Sequence, residues 1–454
     1  MLNTQQKLFG TDGIRTTVGK EPLTPDSLVR LGYALGQWAT KTYGENPTIL
    51  LGSDTRESYS WVKATLQSGL LRWPVTIYDA GVLATPAVCS IAQNSISPSN
   101  KKFDFAVIIS ASHNIYSDNG IKLFDAQTGK LDETTEDEIT QLFYQDNNSH
   151  VSQDLLVNTN FGQTYYWPEA RHEYTQRVMQ FFKKDFLTNR TVVLDCAHGA
   201  TADYAPKLFM SLGAKVIALA HNPNGKNIND SCGALHPETL VQKVIEHKAD
   251  IGFAFDGDGD RITVVTASGL IRTGDEILAL LTTHPRYIHE NNIVGTILSN
   301  QGLANYLSQQ NKQLLRTPVG DKYIAQKLSH IDSLLGGEPS GHIITRDFLN
   351  VSDGIFVALR LCEIIIFTDN LELNSFIPYP TVNISIPVSY KKDLKIEPFT
   401  SIINQYEKKI TQGQLIIRYS GTEPVLRVMI EAENIEFAHN IGNELAQELL
   451  DKLT

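Results

Sequence analysis

Residues 191–219 read TVVLDCAHGATADYAPKLFMSLGAKVIAL, and residues 240–260 read LVQKVIEHKADIGFAFDGDGD. Thr191–Leu194, Lys215–Leu219 and Ile251–Phe255 are short apolar runs, expected as buried strands. Ala202–Leu212 and Leu240–His247 between them read as helices, with Gly213 placed to close the first. A β-α-β-α-β order predicts a parallel α/β sheet with right-handed crossovers.

Working outward, Thr24-Pro25-Asp26 reads as a helix start, and Leu28, Leu31, Leu35, Trp38 and Ala39 carry that helix to about Tyr43. Thr48–Leu51 and Phe103–Ile109 read as strands, the second apolar on both faces. Helix and strand signals alternate again from Asp275 to Leu361. The C-terminal part differs: strands near Val382–Val388 and Gln414–Arg418 precede a helix capped by Asn434, with Ile435, Ala438, Ile441, Leu445 and Leu449 as its buried stripe. Polar stretches at 146–159 and 368–380 read as linkers, and Ser268-Gly269 as a further boundary. The expected organisation is three α/β domains with mixed, mainly parallel sheets (1–150, 160–267, 268–372) and an α+β domain (378–454).

The chain has 454 residues, with 39 Lys+Arg against 50 Asp+Glu and a net charge of −11, so a general nucleic-acid or anionic-membrane binder is not expected. An anionic ligand would need a local basic pocket. No signal peptide is readable at the N-terminus, and no apolar run is long enough to span a bilayer. Four scattered cysteines suggest neither a disulfide framework nor a zinc site. A cytoplasmic protein is expected.

Four segments carry chemistry. Asp256-Gly-Asp258-Gly-Asp260-Arg261 alternates carboxylates with glycines straight after a strand, so the three side chains can converge on a hard divalent cation such as Mg²⁺. An EF-hand loop fails, because its sixth position would be Arg261 and its twelfth Ala267. A solvated acidic turn is disfavoured by repulsion among three like charges. Ser110-Ala-Ser112-His113-Asn114, then Asp118-Asn-Gly120-Ile-Lys122, follows the strand ending at Ile109, where open α/β sheets place their ligands. Ser112 beside His113 suits a nucleophile next to a proton-transfer group, though alone an ordinary polar turn explains it better. Arg418-Tyr-Ser420-Gly421-Thr422-Glu-Pro424, then Arg427, suits a phosphate cradle or a solvated hairpin. Gly336-Gly-Glu338-Pro-Ser340-Gly-His342 offers groups for sugar hydroxyls or an amine, or is a glycine-rich turn. No Walker A or dinucleotide fingerprint appears, so ATP or NAD use is unsupported.

Taken in this order, the four segments resemble the α-D-phosphohexomutase superfamily, whose opening motif is similar to Phe9-Gly-Thr-Asp-Gly-Ile-Arg15. Asp195-Cys-Ala-His-Gly-Ala200, Asn227-Ile-Asn229, Cys232-Gly233, His236-Pro-Glu238 and Val319-Gly-Asp-Lys-Tyr-Ile324 look most like its hexosamine-phosphate branch. The resemblance implies four domains around a central cleft, one motif in each. It implies an isomerase that interconverts glucosamine 6-phosphate and glucosamine 1-phosphate through a phosphoserine at Ser112 and a sugar 1,6-bisphosphate, which also serves as primer. Asp256, Asp258, Asp260 and a phosphoserine oxygen would hold Mg²⁺. Arg15, Lys122 and Arg261 would surround that centre, with Lys122 or His113 in proton transfer and Lys122 also able to stabilise charge. Glu338, Ser340 and His342 would face the sugar. Arg418, Ser420, Gly421, Thr422 and Arg427 would grip the phosphate that is not reacting. A homodimer is implied too; the group that first phosphorylates Ser112 is not. Ile115, Pro339 and Tyr419 depart from the family pattern. Pro339 leaves room for a mutase of mannose or glucose phosphates, and a non-catalytic sugar-phosphate sensor is the other alternative.

Overall fold

The computed structural model describes residues 7–10, 12–145, 160–420 and 424–453. The first sheet is built from β1 (Ile14–Thr17), β2 (Thr48–Ser53), β3 (Thr76–Val82), β4 (Phe105–Ile109), β5 (Asp118–Asp125), β6 (Gly129–Lys130) and β7 (Gln163–Tyr166). Its order is β1-β5-β4-β2-β3-β7, with β6 beside β5. Around it lie α1 (Pro25–Tyr43), α2 (Tyr59–Leu70), α3 (Thr85–Asn94) and α4 (Glu133–Gln145). Every residue of β2 and β4 is buried, as strands covered on both faces require. The Thr24 hydroxyl caps α1 as its sequence predicts. The 160 boundary does not follow the strand pairing: β7 runs parallel to β3 and forms an edge of the first sheet. The alternation Thr164-Tyr165-Tyr166 is too short and polar to announce that placement.

The second sheet holds α5 (Ala170–Met179), β8 (Thr191–Asp195), α6 (Ala205–Ser211), β9 (Lys215–Leu219), α7 (Glu238–His247), β10 (Ile251–Phe255), β11 (Ile262–Thr266) and β12 (Ile271–Arg272), ordered β12-β11-β10-β8-β9. β8, β9 and β10 are parallel, as the β-α-β-α-β reading requires. The helix after β8 begins at Ala205 instead of Ala202, with Pro206 in its first turn. β10 and β11 form an antiparallel hairpin, so the acidic run is a hairpin turn.

The third unit comprises α8 (Gly274–Leu281), β13 (Asn292–Thr296), α9 (Gln301–Gln309), β14 (Gln313–Thr317), α10 (Asp321–Ile331), β15 (Leu335–Gly337), β16 (Ile343–Thr345) and α11 (Gly354–Thr368), with sheet order β14-β13-β15-β16. The Glu338–His342 segment turns between antiparallel β15 and β16. The last unit is antiparallel throughout: β17 (Thr381–Pro387), β18 (Gly413–Tyr419) and β19 (Val425–Ala432), ordered β17-β19-β18, with α12 (Phe399–Lys409) and α13 (Ile435–Leu453).

One apolar core runs from the α3 side of the first sheet through the second and third units, joining Val88, Phe209, Phe253 and Phe356. The C-terminal unit has its own core around Leu426, Ile430 and Leu445. The stretch 368–380, expected as a linker, is packed: Leu373 is buried and the Arg272 guanidinium holds the Glu372 carbonyl at 2.6 Å. The 146–159 stretch lies outside the described residues. Among the described residues no helix is long and apolar enough to cross a membrane.

α1 and α2 cross with their backbones in contact, because a Cβ on Gly69 would stand 2.0 Å from the Val29 carbonyl oxygen. Gly69→Ala should force the helices apart and destabilise the first domain by about 1–3 kcal/mol, as core overpacking does. Calorimetry would show this as a lowered unfolding transition, and an unshifted one would contradict the crossing.

Candidate active site

β4 is apolar to its end, and the chain then turns through Ser110–Asn114 before returning as β5. Ser112 occupies the left-handed region at φ 52°, uncommon for a residue with a side chain. Its N–H donates to Ser110 Oγ at 2.9 Å, and Ser110 Oγ donates to Asp54 Oδ2 at 2.7 Å. The fully buried Arg56 pairs with the same Asp54 oxygen at 2.8 Å. Its guanidinium also donates to the carbonyls of Ser112 at 2.9 Å, Asn114 at 2.8 Å and Asp118 at 2.9 Å, and to that of Ile115. The Ser112 hydroxyl is left to face the second domain, where it donates to Asp256 Oδ2 at 2.7 Å.

The three aspartates converge as their glycine spacing predicts. One carboxylate oxygen from each of Asp256, Asp258 and Asp260 lies within 4.8 Å of the others, and all three residues are buried. Gly257 is required by this approach, since a Cβ there would stand 2.7 Å from the Ser112 carbonyl oxygen. Burial, together with Asp260 and Asp258, pushes the Asp256 pKa up to about 7. Asp260 goes the other way: burial opposes its charge, but Lys122 and His342 hold its pKa well below the usual range. Asp258 Oδ2 accepts from Thr85 Oγ1 at 2.5 Å and Lys122 Nζ at 2.8 Å. Asp258 Oδ1 is buried with no hydrogen-bond partner. An all-oxygen donor set with one carboxylate oxygen unsatisfied fits a hard divalent cation.

Lys122 reaches Asp258 and Asp260 from β5 and also Asp12 Oδ2, at 2.9 Å. Burial works against its charge, but the three carboxylates hold its pKa well above the ordinary value. A lysine set among cations would shift the opposite way. Asp12 in turn binds Arg15 at 2.8 Å and Lys130 at 2.7 Å, and Lys130 continues to Asp321 in the third unit at 2.6 Å. The His113 ring lies 3.3 Å from Ser112 Oγ through Nδ1. Burial, then Arg261 and Arg15, lower its pKa to about 3, so the ring is neutral near pH 7.

Arg261 Nε lies 3.1 Å from His342 Nε2, which is also 3.1 Å from Asp260 Oδ1. His342 Nδ1 is 2.7 Å from Glu338 Oε1, and Ser340 Oγ donates to the same oxygen at 2.7 Å. Burial and Arg261 oppose a charge on His342, but the carboxylates on either side outweigh them and its pKa rises to about 10. His342 Nδ1 is paired with Glu338, while Nε2 accepts from Arg261 Nε in the contact between them. Burial would raise Glu338, yet His342 and Ser340 bring its pKa down to about 2.

In the C-terminal unit Arg418 and Arg427 are register partners on β18 and β19. Burial and then Arg427 lower the Arg418 pKa. They line a groove of about 390 Å³ that also includes Pro339 of the third unit, so two of the sequence-predicted segments share one cavity. Ser420 follows Arg418 and is buried, whereas Gly421 and Thr422 lie outside the described residues. At the family departures, Tyr419 Oη donates to the Lys392 carbonyl at 2.8 Å and accepts from the Lys392 N–H at 2.9 Å, tying β18 to a neighbouring loop. Ile115 is exposed, and only its backbone enters the Arg56 network.

Several residues here went unremarked in the sequence. Asp54 and Arg56 had a signal, since an acid and a base two residues apart end an apolar strand. Asp12 stands within the opening motif. Asn229 ends the Asn227-Ile-Asn229 run, within which nothing names its partner. Lys130 and Thr85 had no local signal, because their partners lie far along the chain.

The chain matches the phosphoglucomutase/phosphomannomutase family in four pieces: alpha/beta/alpha domain I over residues 6–150, domain II over 172–269, domain III over 273–377 and the C-terminal domain over 385–448. It is 37% identical over 449 residues to a phosphoglucosamine mutase of Acinetobacter baylyi, covering 97% of this chain and 98% of that protein. A phosphoglucosamine mutase of Psychrobacter sp. is likewise 37% identical over 453 residues, covering 97% and 98%. The crystal structure of a phosphoglucomutase/phosphomannomutase family protein from Burkholderia thailandensis superposes with a TM-score of 0.80 at 23% identity, covering 99% of this chain and 98% of that one. A serine hydroxyl against three converging carboxylates, within four matching domains and relatives alike over nearly their whole length, makes this chain a member of the phosphoglucomutase/phosphomannomutase family.

Proposed function

We propose that the protein interconverts glucosamine 6-phosphate and glucosamine 1-phosphate, with Ser112 carrying the transferred phosphoryl group. The observation that carries this reading is the Ser112 hydroxyl at 2.7 Å from Asp256, inside the aspartate triplet. The sugar preference comes from the phosphoglucosamine mutases that the chain resembles over nearly its full length.

In the first half-reaction the bond between Ser112 Oγ and phosphorus breaks as a sugar hydroxyl bonds to phosphorus and gives up its proton to a base of the site. A sugar 1,6-bisphosphate results. After it turns over, the reverse occurs: the bond between the other sugar oxygen and phosphorus breaks as Ser112 Oγ bonds to phosphorus, and that sugar oxygen regains a proton. A trace of bisphosphate would therefore prime an unphosphorylated enzyme. Asp256, Asp258, Asp260 and a phosphoserine oxygen would hold Mg²⁺, which when bound offsets charge on the transferring group. Lys122, held as an ammonium, supports a charge-stabilising role better than proton acceptance. The neutral His113 ring lies beside Ser112 Oγ and can orient or take a proton only as a weak base, since its pKa is lowered to about 3. Arg15 and Arg261 add positive charge beside the same centre.

Glu338, Ser340 and His342 form one hydrogen-bonded set to meet the sugar. Arg418, Ser420, Gly421, Thr422 and Arg427 would take the phosphate that is not reacting, and its remote binding energy would position the reacting hydroxyl. A homodimer belongs to this proposal on the family likeness alone, and a cytoplasmic location on the reading of the sequence. A second reading, with mannose or glucose phosphates as substrates, is favoured only by Pro339, which lines the groove with Arg418 and Arg427.

Turnover of glucosamine, mannose and glucose phosphates, each with a trace of the matching 1,6-bisphosphate, tests the reading. Glucosamine phosphate should give the highest kcat/KM, and a clear preference for mannose or glucose would replace it. Ser112→Ala should remove turnover with an unchanged thermal midpoint, since the deleted hydroxyl supports no core. Wild-type turnover in that variant would end the covalent role. Asp258→Asn should weaken Mg²⁺ dependence by more than about tenfold. An unaltered Mg²⁺ titration would remove the aspartate from the site.

A further inference from the structure

We infer that Asn229, acting with Arg56, is a positioning residue for phosphoryl transfer: the two clamp the backbone of Ser112 from different domains and so aim its hydroxyl. This rests on Ser112 as the phosphoryl carrier. Asn229 Nδ2 donates to the carbonyl oxygens of Ser112 at 2.8 Å and Asn114 at 2.9 Å. Arg56 donates to the same two oxygens at 2.9 Å and 2.8 Å. Each carbonyl therefore has two donors, which fills both of its lone pairs. One donor comes from beneath the loop in the first domain, the other from the second domain.

The local backbone is shaped for this contact. Asn229 is itself left-handed at φ 57°, a conformation asparagine tolerates, and its N–H is fixed on the Ala197 carbonyl at 3.0 Å. Its amide is wedged against the metal loop, because a Cβ on Gly257 would stand 2.7 Å from Nδ2. The second domain thus holds Ser112 at two points, the carbonyl through Asn229 and the hydroxyl through Asp256. The Ser112 N–H is tied to Ser110 as well, so the backbone is fixed on both sides of the side chain. Transfer rates depend steeply on such alignment.

The effect on rate is separable from the effect on stability. Without the Asn229 amide, Arg56 still satisfies both carbonyls, so no buried acceptor is orphaned and the fold persists. Asn229→Gly keeps the left-handed backbone and deletes the donor. Asn229→Asp keeps the shape and turns an oxygen toward two carbonyl oxygens. Arg56→Lys keeps the charge beside Asp54 but cannot reach all four carbonyls.

Expected are losses in kcat of about tenfold for Asn229→Gly and about 100-fold for Asn229→Asp, with KM changed by less than about threefold. The thermal midpoint of Asn229→Gly should stay near that of the unaltered protein, whereas Asn229→Asp, which buries a carboxylate against two carbonyl oxygens, should lose stability as well. Amide hydrogen exchange of a peptide spanning 110–118 should quicken in both, and in Arg56→Lys, whether or not substrate turns over. Unchanged kcat in Asn229→Asp overturns the inference, as does a loss confined to KM or to the thermal midpoint, or unchanged exchange. If the unaltered protein turns over no hexose phosphate, the substrate reading fails by itself, and the exchange measurement still decides the clamp.

Discussion

Buried charge has to be matched, and in this protein the matching is done across domain boundaries. The Lys122 ammonium comes from the first sheet, yet two of its three carboxylates belong to the hairpin of the second. His342 comes from the third unit and faces Asp260 of the second. Lys130 reaches from the first sheet to Asp321 of the third. None of these groups is stable in a dry site alone, because an isolated buried ion costs several kcal/mol. Bringing the three units together is therefore what makes each of them tolerable. The same assembly concentrates the charges that phosphoryl transfer uses, since such catalysis is mainly positioning and electrostatics.

The serine loop shows how that matching becomes geometry. Asp54 and Arg56 form a neutral buried pair under the loop, and the guanidinium draws carbonyl oxygens inward. Ser112 can then hold its left-handed backbone and turn its hydroxyl outward. Gly257 in the facing hairpin lacks the Cβ that would keep the two loops apart. Catalytic and supporting residues thus obey one constraint: two backbones must touch while four carboxylates, at positions 12, 256, 258 and 260, lie close by.

Much of this was legible because the signals were local. The run from Thr191 to Phe255 states its strands and helices plainly, and the parallel β8, β9 and β10 follow. Asp256, Asp258 and Asp260 could be read as converging because glycines separate them. Two kinds of feature stayed hidden. β7 joins the first sheet although it follows a long polar stretch, and nothing within Gln163–Tyr166 names its partner. Asn229, Lys130 and Thr85 act on residues more than a hundred positions away, where spacing carries no information. The direction of the Lys122 shift was hidden for the same reason, since Asp12 and the hairpin carboxylates are remote in sequence.

The separate C-terminal core has a mechanical meaning. Three units share one continuous apolar core, so parting them would expose hydrocarbon to water. The fourth meets the third through polar contacts, among them Gln414 to the Ser299 carbonyl and the Gln301 N–H to Glu431. Such contacts exchange for water at a net cost of only about 0.5–1.5 kcal/mol each. The module that bears Arg418 and Arg427 is thus the part of the molecule that swings away most cheaply. A bisphosphate needing to flip end over end would find its elbow room there, while the welded three-unit frame keeps the serine and its aspartates in register.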